Sequence, residues 1–144
     1  MRIISKQVEN QPLTVIVEYP EYDRNVSGLI QKIENLDIQF VGYDEEKQTK
    51  IGLFDIYYIE NVERKLFIYT KQSVYRYDSS MAKVEEMAKN TNLVRISRTC
   101  FMNIEHLKEM RQVKNSHLEA VLDNNEMLIV SRKYLKDIKN VFRG

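Results

Sequence analysis

The sequence predicts a mostly β fold with short helices, arranged as a sandwich and not as a parallel α/β sheet. Three observations support this prediction. After residue 37 the chain consists of short runs of β-branched and aromatic residues, which are typical of strands. Polar stretches such as DEEKQT, NVER and DNNE separate these runs. Helical periodicity is confined to short segments at the margins of the strand-rich part.

Residues 1–37 are predicted to form an N-terminal extension with one strand and one amphipathic helix. The run LTVIVEY (13–19) is rich in β-branched residues and ends at Pro20, which predicts a strand. A helix is predicted over residues 25–36, with Asp23 or Asn25 as its cap. Its apolar residues recur at helical spacing: Val26, Leu29, Ile30, Ile33 and Leu36. This stripe is expected to pack on its own domain, with a second copy or another partner as the alternative.

Residues 38–144 are predicted to form one domain of short strands. The strands are expected at 38–43, 56–60, 65–70, 73–77 and 93–97, then at 110–116, 117–123 and 127–130. The Asn residues of DNNE tolerate positive φ and predict a hairpin turn. A helix is expected at 80–90 with Ser79 or Ser80 as cap, and a turn at 103–107. Ser131 is expected to cap a final helix that carries Leu135, Ile138 and Phe142.

Size and composition favour a soluble globular protein. The chain has 144 residues, of which 43% are hydrophobic and 30% charged, enough for one domain with its own core. No apolar run approaches the roughly 20 residues that span a bilayer, and the N-terminus lacks the pattern of a secretory signal. The single cysteine, Cys100, has no partner for an internal disulfide. We therefore expect a cytoplasmic protein.

Charge is distributed unevenly along the chain, although the net charge is only +1. Residues 1–63 hold six Lys and Arg against twelve Asp and Glu. Residues 64–144 hold sixteen Lys and Arg against nine Asp and Glu. A basic C-terminal portion favours an anionic partner such as a nucleic acid.

The residue patterns of common enzyme and metal sites are missing. None of the four glycines belongs to a phosphate-binding loop. His106 and His117 lack ligand-like spacing to Cys100 or to a carboxylate cluster, and Cys100 itself is expected to be buried. We therefore expect no enzyme activity, no cofactor, no metal and no small-molecule substrate.

Hydrogen-bond donors collect where predicted strands pass into loops. One set contains Arg64 and Lys65, a second contains Arg95, Ser97, Arg98 and Thr99, and a third contains Ser131, Arg132, Lys133 and Lys136. Arginine can grip the edge of guanine with two donors, while Lys, Ser and Thr suit phosphates. In an ideal strand Arg95 and Ser97 share one face, so Arg98 reaches outward only if the strand ends there.

Some of these residues have an alternative role within the fold. Arg95 is as well explained by an ion pair with Glu60 or Glu85 as by a nucleic-acid contact. Asn103 is expected to shape a turn through its side chain. The tyrosines at 57, 58, 69, 75 and 77 suggest base stacking on RNA, but their spacing within strands favours packing in the core.

Three segments in this order resemble the LytTR-type DNA-binding domain: IYYIENVERKLFIYTKQSVYRY, LVRISRTCFMNIEHLKEM and NNEMLIVSRKYLKDIK. The resemblance covers roughly residues 38–142. It implies an elongated fold of stacked β-sheets that contacts DNA through inter-strand loops. The positions that match the family's DNA contacts are Arg98 and Arg132, with Arg64 or Lys65 in the first segment. Only about 37 residues precede the domain, so the chain resembles a stand-alone regulator without a receiver domain.

The sequence thus predicts a sequence-specific transcriptional regulator that reads the major groove of double-stranded DNA with inter-strand loops. The expected partners are a direct-repeat operator, a second copy of the chain and, by family resemblance alone, a membrane-protein inhibitor. Two alternatives to DNA binding remain open. One is a protein-interaction module that acts through its N-terminal helix, and the other is an RNA-binding protein that uses exposed tyrosines.

Overall fold

The computed structural model describes residues 1–113, 117–135 and 138, which contain two antiparallel sheets and the α-helices α1 (Arg24–Glu34) and α2 (Met81–Ala88). The large sheet contains β1 (Gln39–Asp44), β2 (Lys47–Gly52), β3 (Tyr58–Val62), β4 (Lys65–Tyr69), β5 (Val74–Tyr77), β6 (Leu93–Ser97) and β7 (Cys100–Asn103). The small sheet contains β8 (Leu107–Val113), β9 (His117–Leu122) and β10 (Met127–Val130). None of the described helices is long and apolar enough to cross a lipid bilayer.

The strands pair in an order that differs from their order in the chain. Across the large sheet the order is β2-β1-β5-β4-β3-β7-β6, and across the small sheet it is β10-β9-β8. Each pair of neighbours is antiparallel. The predicted mostly β fold is therefore confirmed. The boundary near residue 37 stays a prediction.

Strands of the large sheet supply two separate cores, one on each face. Side chains of a strand point alternately to its two faces. In β7, Phe101 belongs to the core beneath α2, whereas Cys100 and Met102 belong to the core that faces the small sheet. In β4, Leu66 and Ile68 likewise both face the α2 core. This alternation explains why one short sequence run can supply two cores.

Tyrosines of the large sheet pack in the interior. The Tyr57 ring stacks on His106 with the ring centroids 3.8 Å apart. Burial and the nearby Asp123 carboxylate in the β9–β10 turn raise the pKa of Tyr57 to about 12. Tyr58 of β3 stacks on Tyr69 of β4 with the ring centroids 4.1 Å apart. The predicted core packing of these tyrosines is confirmed, which removes them as exposed surfaces for base stacking.

The N-terminal strand prediction is wrong: residues 13–19 form no strand, and no described backbone group pairs with them in a sheet. Two strands were also missed. DEEKQT (44–49) was interpreted as a polar connection, but Lys47–Gly52 forms β2, an edge strand in which only Ile51 is buried. Cys100–Asn103 forms β7, which is buried at all four positions and therefore lacks an alternating pattern.

The predicted helix caps have mixed outcomes. Asp23 caps α1 by accepting from the Val26 amide at 3.0 Å, and Ser80 caps α2 by accepting from the Lys83 amide at 3.2 Å. Ser131 does not act as predicted, because a 3₁₀ turn (Arg132–Tyr134) follows it and its hydroxyl makes no capping hydrogen bond. Leu135 and Ile138 are helical, whereas Phe142 lies outside the described residues.

Candidate nucleic-acid interface

Three donor-bearing segments meet at one end of the large sheet. They are the β3–β4 turn with the first residue of β4 (63–65), the last residue of β6 with the β6–β7 turn (97–99), and the residues after β10 (131–133), here called together the basic end. The Asn61 amide at the end of β3 donates to the Thr99 carbonyl at 2.7 Å, which joins the first two segments. The Ser131 amide donates to the Ile96 carbonyl of β6 at 2.8 Å, which joins the third. Backbone hydrogen bonds therefore fix these segments side by side.

The β3–β4 turn presents Arg64 at its tip. Val62 pairs with Lys65, so only Glu63 and Arg64 lie between the strands. Both have positive φ, 52° and 69°, as a two-residue type I′ turn requires. The second of these positions normally favours glycine, because a β-carbon is disfavoured in the left-handed region. An exposed arginine at this position costs stability, which points to a role outside folding.

Replacing Arg64 by glycine is expected to have opposite effects on stability and on DNA affinity. Removing the β-carbon should stabilise the turn by about 0.5–1 kcal/mol, measured as a higher urea midpoint at unchanged slope. Losing the guanidinium should weaken binding to duplex DNA. The matched control is Arg64→Ala, which keeps the backbone penalty and should lose affinity without gaining stability. Undiminished binding by both variants would exclude Arg64 from the interface.

The β6–β7 turn presents Arg98. Strand β6 ends at Ser97 after a register shift between Arg95 and Ser97, which is the ending that an outward Arg98 requires. The Ser97 hydroxyl accepts from the Thr99 amide at 3.2 Å and closes the turn. Arg98 is exposed at its tip, and no carboxylate among the described residues pairs with it. Its guanidinium is thus available to a ligand.

Arg95 is engaged inside the protein. Its Nε donates to the Ser97 carbonyl at 3.1 Å and its Nη2 to the Arg98 carbonyl at 2.6 Å. The predicted ion pair with Glu85 of α2 is present, at 3.6 Å. The guanidinium also lies 5.4 Å from the centre of the Phe101 ring and 5.9 Å from that of Tyr134. One side chain therefore links the β6–β7 turn, α2 and the segment after β10.

The segment after β10 presents Arg132 and Lys133. Both are exposed in the 3₁₀ turn, which is closed by a hydrogen bond from the Tyr134 amide to the Ser131 carbonyl at 3.0 Å. The Lys133 ammonium lies 5.7 Å from the centre of the Tyr134 ring. No described carboxylate pairs with Arg132. Lys136 lies outside the described residues.

The β1–β2 turn is acidic, because Glu45 and Glu46 form it and are exposed. Arg76 of β5 is paired with Asp78 at 3.1 Å. An anionic ligand is therefore favoured at the basic end and disfavoured at the β1–β2 turn.

Sequence reasoning found the exposed cations but missed what holds them. It did not identify the Tyr134 ring as a neighbour of Arg95, or the Asn61 amide as the link between two turns. Neither carries a local signal, because both act on residues more than thirty positions away in the chain. The left-handed backbone conformation of Arg64 was also missed, because the ENVERK stretch lacks the Asn-Gly or Asp-Gly dipeptide that is typical of such turns.

Comparisons with known proteins agree with the resemblance seen in the sequence. The family model of the LytTr DNA-binding domain matches residues 46–143. The sensory transduction proteins LytT of Enterococcus faecalis and Bacillus anthracis are each 25% identical to the chain, over 142 and 140 residues, and cover 94% of it. The chain spans 57% of the length of each relative.

A solved structure supports the fold. It is the LytTr DNA-binding domain of a Bacillus cereus protein described as a methyl-accepting/DNA response regulator. The two structures superpose with a TM-score of 0.67 over 74% of this chain and 97% of the other, at 16% sequence identity. At this identity the likeness concerns the fold alone.

Proposed function

The chain belongs to the LytTR family of DNA-binding domains, and on this premise we propose that it is a transcriptional regulator that reads the major groove of double-stranded DNA through its basic end. The observation that carries this proposal is the junction of three arginine-bearing segments by backbone hydrogen bonds to Thr99 and Ile96. Loops on rigid strands hold side chains in a fixed arrangement, which sequence-specific recognition needs.

The proposal assigns base contacts to the exposed arginines. Arg98 and Arg132 lie on neighbouring segments and are not neutralised by a described carboxylate. A free guanidinium can donate two hydrogen bonds to O6 and N7 of one guanine, an arrangement specific to that base. Arg64 at the adjacent turn is the third candidate. The exposed acidic residues of the β1–β2 turn disfavour phosphates at that turn.

The remaining donors are assigned to phosphates or to support. Lys65 and Lys133 are exposed beside the arginines, and a lysine ammonium suits a phosphate without base preference. Ser97, Thr99 and Ser131 lie at the same turns, where their hydroxyls are proposed to reach a phosphate. Lys136, on the final helix predicted from the sequence, keeps its proposed phosphate contact. Arg95 is assigned a positioning role, because its donors are occupied by the Ser97 and Arg98 carbonyls.

Selection from random duplexes, followed by sequencing of the bound fraction, tests the proposed function. A recurring motif bound with strong salt dependence is the expected result. Preferential binding of single-stranded RNA would favour the alternative function, although Tyr57 and Tyr58 are buried and do not offer stacking surfaces. Equal affinity for all duplexes would overturn sequence-specific reading.

Replacing Lys133 by alanine is expected to weaken binding to every duplex by a similar factor. Each phosphate contact releases counterions, so losing one should reduce the slope of log affinity against log salt by about 0.9. The matched control is Lys71→Ala. Lys71 lies in the β4–β5 turn, at the opposite end of the sheet from the β3–β4 turn, and its loss should leave the slope unchanged. An unchanged slope for Lys133→Ala would remove this residue from the phosphate contacts.

We also propose that the regulator acts as a homodimer, because its N-terminal residues carry an apolar surface that the single chain leaves exposed. The direct-repeat operator, the membrane-protein inhibitor and the cytoplasmic location stay predictions.

A further inference from the structure

The N-terminal residues expose apolar side chains that the rest of the described chain does not cover. Fifteen large apolar side chains are exposed among the described residues, and nine of them lie within residues 1–22. Ile3 is 83% exposed, Leu13 99% and Ile16 78%. Such a concentration of exposed large apolar side chains in one segment favours an interaction site.

Residues 13–19 combine this exposure with a sequence that favours a strand. Leu13, Val15, Val17 and Tyr19 alternate with the other residues, so in an extended conformation they share one face. Val17 and Tyr19 already lie against α1, where they line a shallow cavity together with Val26 and Leu29. No described backbone group forms sheet hydrogen bonds with this run. The strand that the sequence favours therefore lacks a partner within the described chain.

We infer that residues 13–19 pair antiparallel with the same residues of a second copy, centred on Ile16. The inference specifies the interface of the proposed homodimer and does not depend on the DNA contacts. Pro12 and Pro20 flank the run symmetrically about Ile16, and neither can donate a hydrogen bond to a sheet. The stretch that can pair is therefore limited to the residues between them, and its midpoint is the point at which a two-fold axis would pass.

This register also suits the side chains. It puts Leu13 opposite Tyr19 and Val15 opposite Val17, which makes apolar cross-strand pairs. Glu18 faces Thr14 of the other copy and not another Glu18, so like charges are kept apart. Because each copy offers the same surface, one two-fold interface covers the apolar run of both copies.

Exposed apolar side chains inside and outside the paired run supply the area. Full burial removes about 60–120 Å² of apolar surface for each aliphatic side chain, as the transfer energy per area implies. Leu13, Val15, Ile16 and Tyr19 lie in the run, and the other five exposed residues lie elsewhere within residues 1–22. Burial of the exposed part of all nine would remove on the order of 400–800 Å² per copy, against about 800 Å² per partner in interfaces of standard size.

The interface lies away from the basic end. Helix α1 is held by a hydrogen bond from Gln31 to the Asn90 carbonyl and by an ion pair between Lys32 and Glu105. Asn90 precedes the start of β6, and Glu105 follows the end of β7, which is the opposite end of these strands from the turn that carries Arg98. Dimerisation next to α1 therefore leaves both basic ends accessible.

Sedimentation equilibrium of the full chain, with and without single-site DNA duplexes, tests this inference. The wild type is expected to be a dimer that binds two duplexes. Ile16→Pro should be monomeric at the same concentration, because proline cannot occupy the centre of a paired strand. It should still bind one duplex per chain with wild-type affinity. The matched control is Ile3→Pro, an equally exposed isoleucine outside the run, which should remain dimeric.

A cysteine variant tests the register. Ile16→Cys should form a disulfide-linked dimer under mild oxidation, because only residue 16 faces its own copy. Leu13→Cys should not, because its partner cysteine would lie about 20 Å away along the strand. The native Cys100 is buried and does not compete. A monomeric wild type, or a dimer that Ile16→Pro leaves intact, would overturn the inference. Loss of DNA binding in all variants and the wild type would instead contradict the proposed function.

Discussion

Replacing Arg98 by alanine is expected to weaken binding to the specific duplex by about 1–3 kcal/mol, roughly 5- to 150-fold, and to relax the preference at one base position. The expectation rests on the position of Arg98 at the tip of a closed turn. Its neighbours Ser97 and Thr99 satisfy each other within the turn, and no described carboxylate pairs with its guanidinium. The Arg98 guanidinium therefore remains available to donate hydrogen bonds to a base.

Gel shifts on a specific and a scrambled duplex measure this effect. Binding to the scrambled duplex should change much less than binding to the specific one, because a base contact contributes only where the correct base is present. The matched control is Arg24→Ala, which removes the same charge from α1, away from the basic end. Equal losses on both duplexes would reassign Arg98 to a phosphate contact. Arg132→Ala should behave like Arg98→Ala but relax a different base position.

Replacing Asn103 by aspartate is expected to destabilise the fold by about 3–5 kcal/mol at neutral pH. Asn103 is only 1% exposed, and its amide nitrogen donates to the Leu53 carbonyl at 3.2 Å and the Ile56 carbonyl at 2.9 Å. Its side-chain oxygen accepts from the Glu105 amide at 3.0 Å. An aspartate would aim a carboxylate oxygen at two carbonyl oxygens within the protein interior. Unfolding in urea measures the loss as a lower midpoint.

The penalty should depend on pH in a defined direction. Burial and the facing carbonyl oxygens raise the pKa of the introduced carboxyl above its unfolded value of about 3.9. The ionised form is therefore disfavoured in the folded state, and the loss of stability is fully present above the raised pKa. As the pH falls towards about 4, protonation should relieve part of the loss, because the neutral acid can donate to one carbonyl.

Asn125→Asp is the matched control for this substitution. Asn125 is exposed in the β9–β10 turn, where its φ is 70° and an aspartate is tolerated. The same chemical change there should alter stability by less than about 0.5 kcal/mol and show little pH dependence. A pH-independent loss at position 103 would indicate that packing, and not the buried charge, sets the cost.

The local features of the chain were largely predictable. Strand positions followed from β-branched and aromatic runs, because each side chain of a strand reports its own burial. Caps at Asp23 and Ser80 followed from short-range hydrogen bonds. The order of three motifs was sufficient to indicate the family. Strand prediction failed where buried and exposed residues do not alternate. In the edge strand β2 nearly every residue is accessible, and in β7 every residue is buried.

Sequence alone therefore determined the mostly β fold, most strand positions, the family and the exposed cations at residues 64, 98 and 132. Tertiary structure alone decided that Arg95 supports the β6–β7 turn, that Asn61 and Ser131 bring three segments together, and that residues 13–19 have no partner in the described chain. The physical reason is that hydrogen bonds and strand pairs between distant residues depend on where the chain returns in space, which local propensity does not encode.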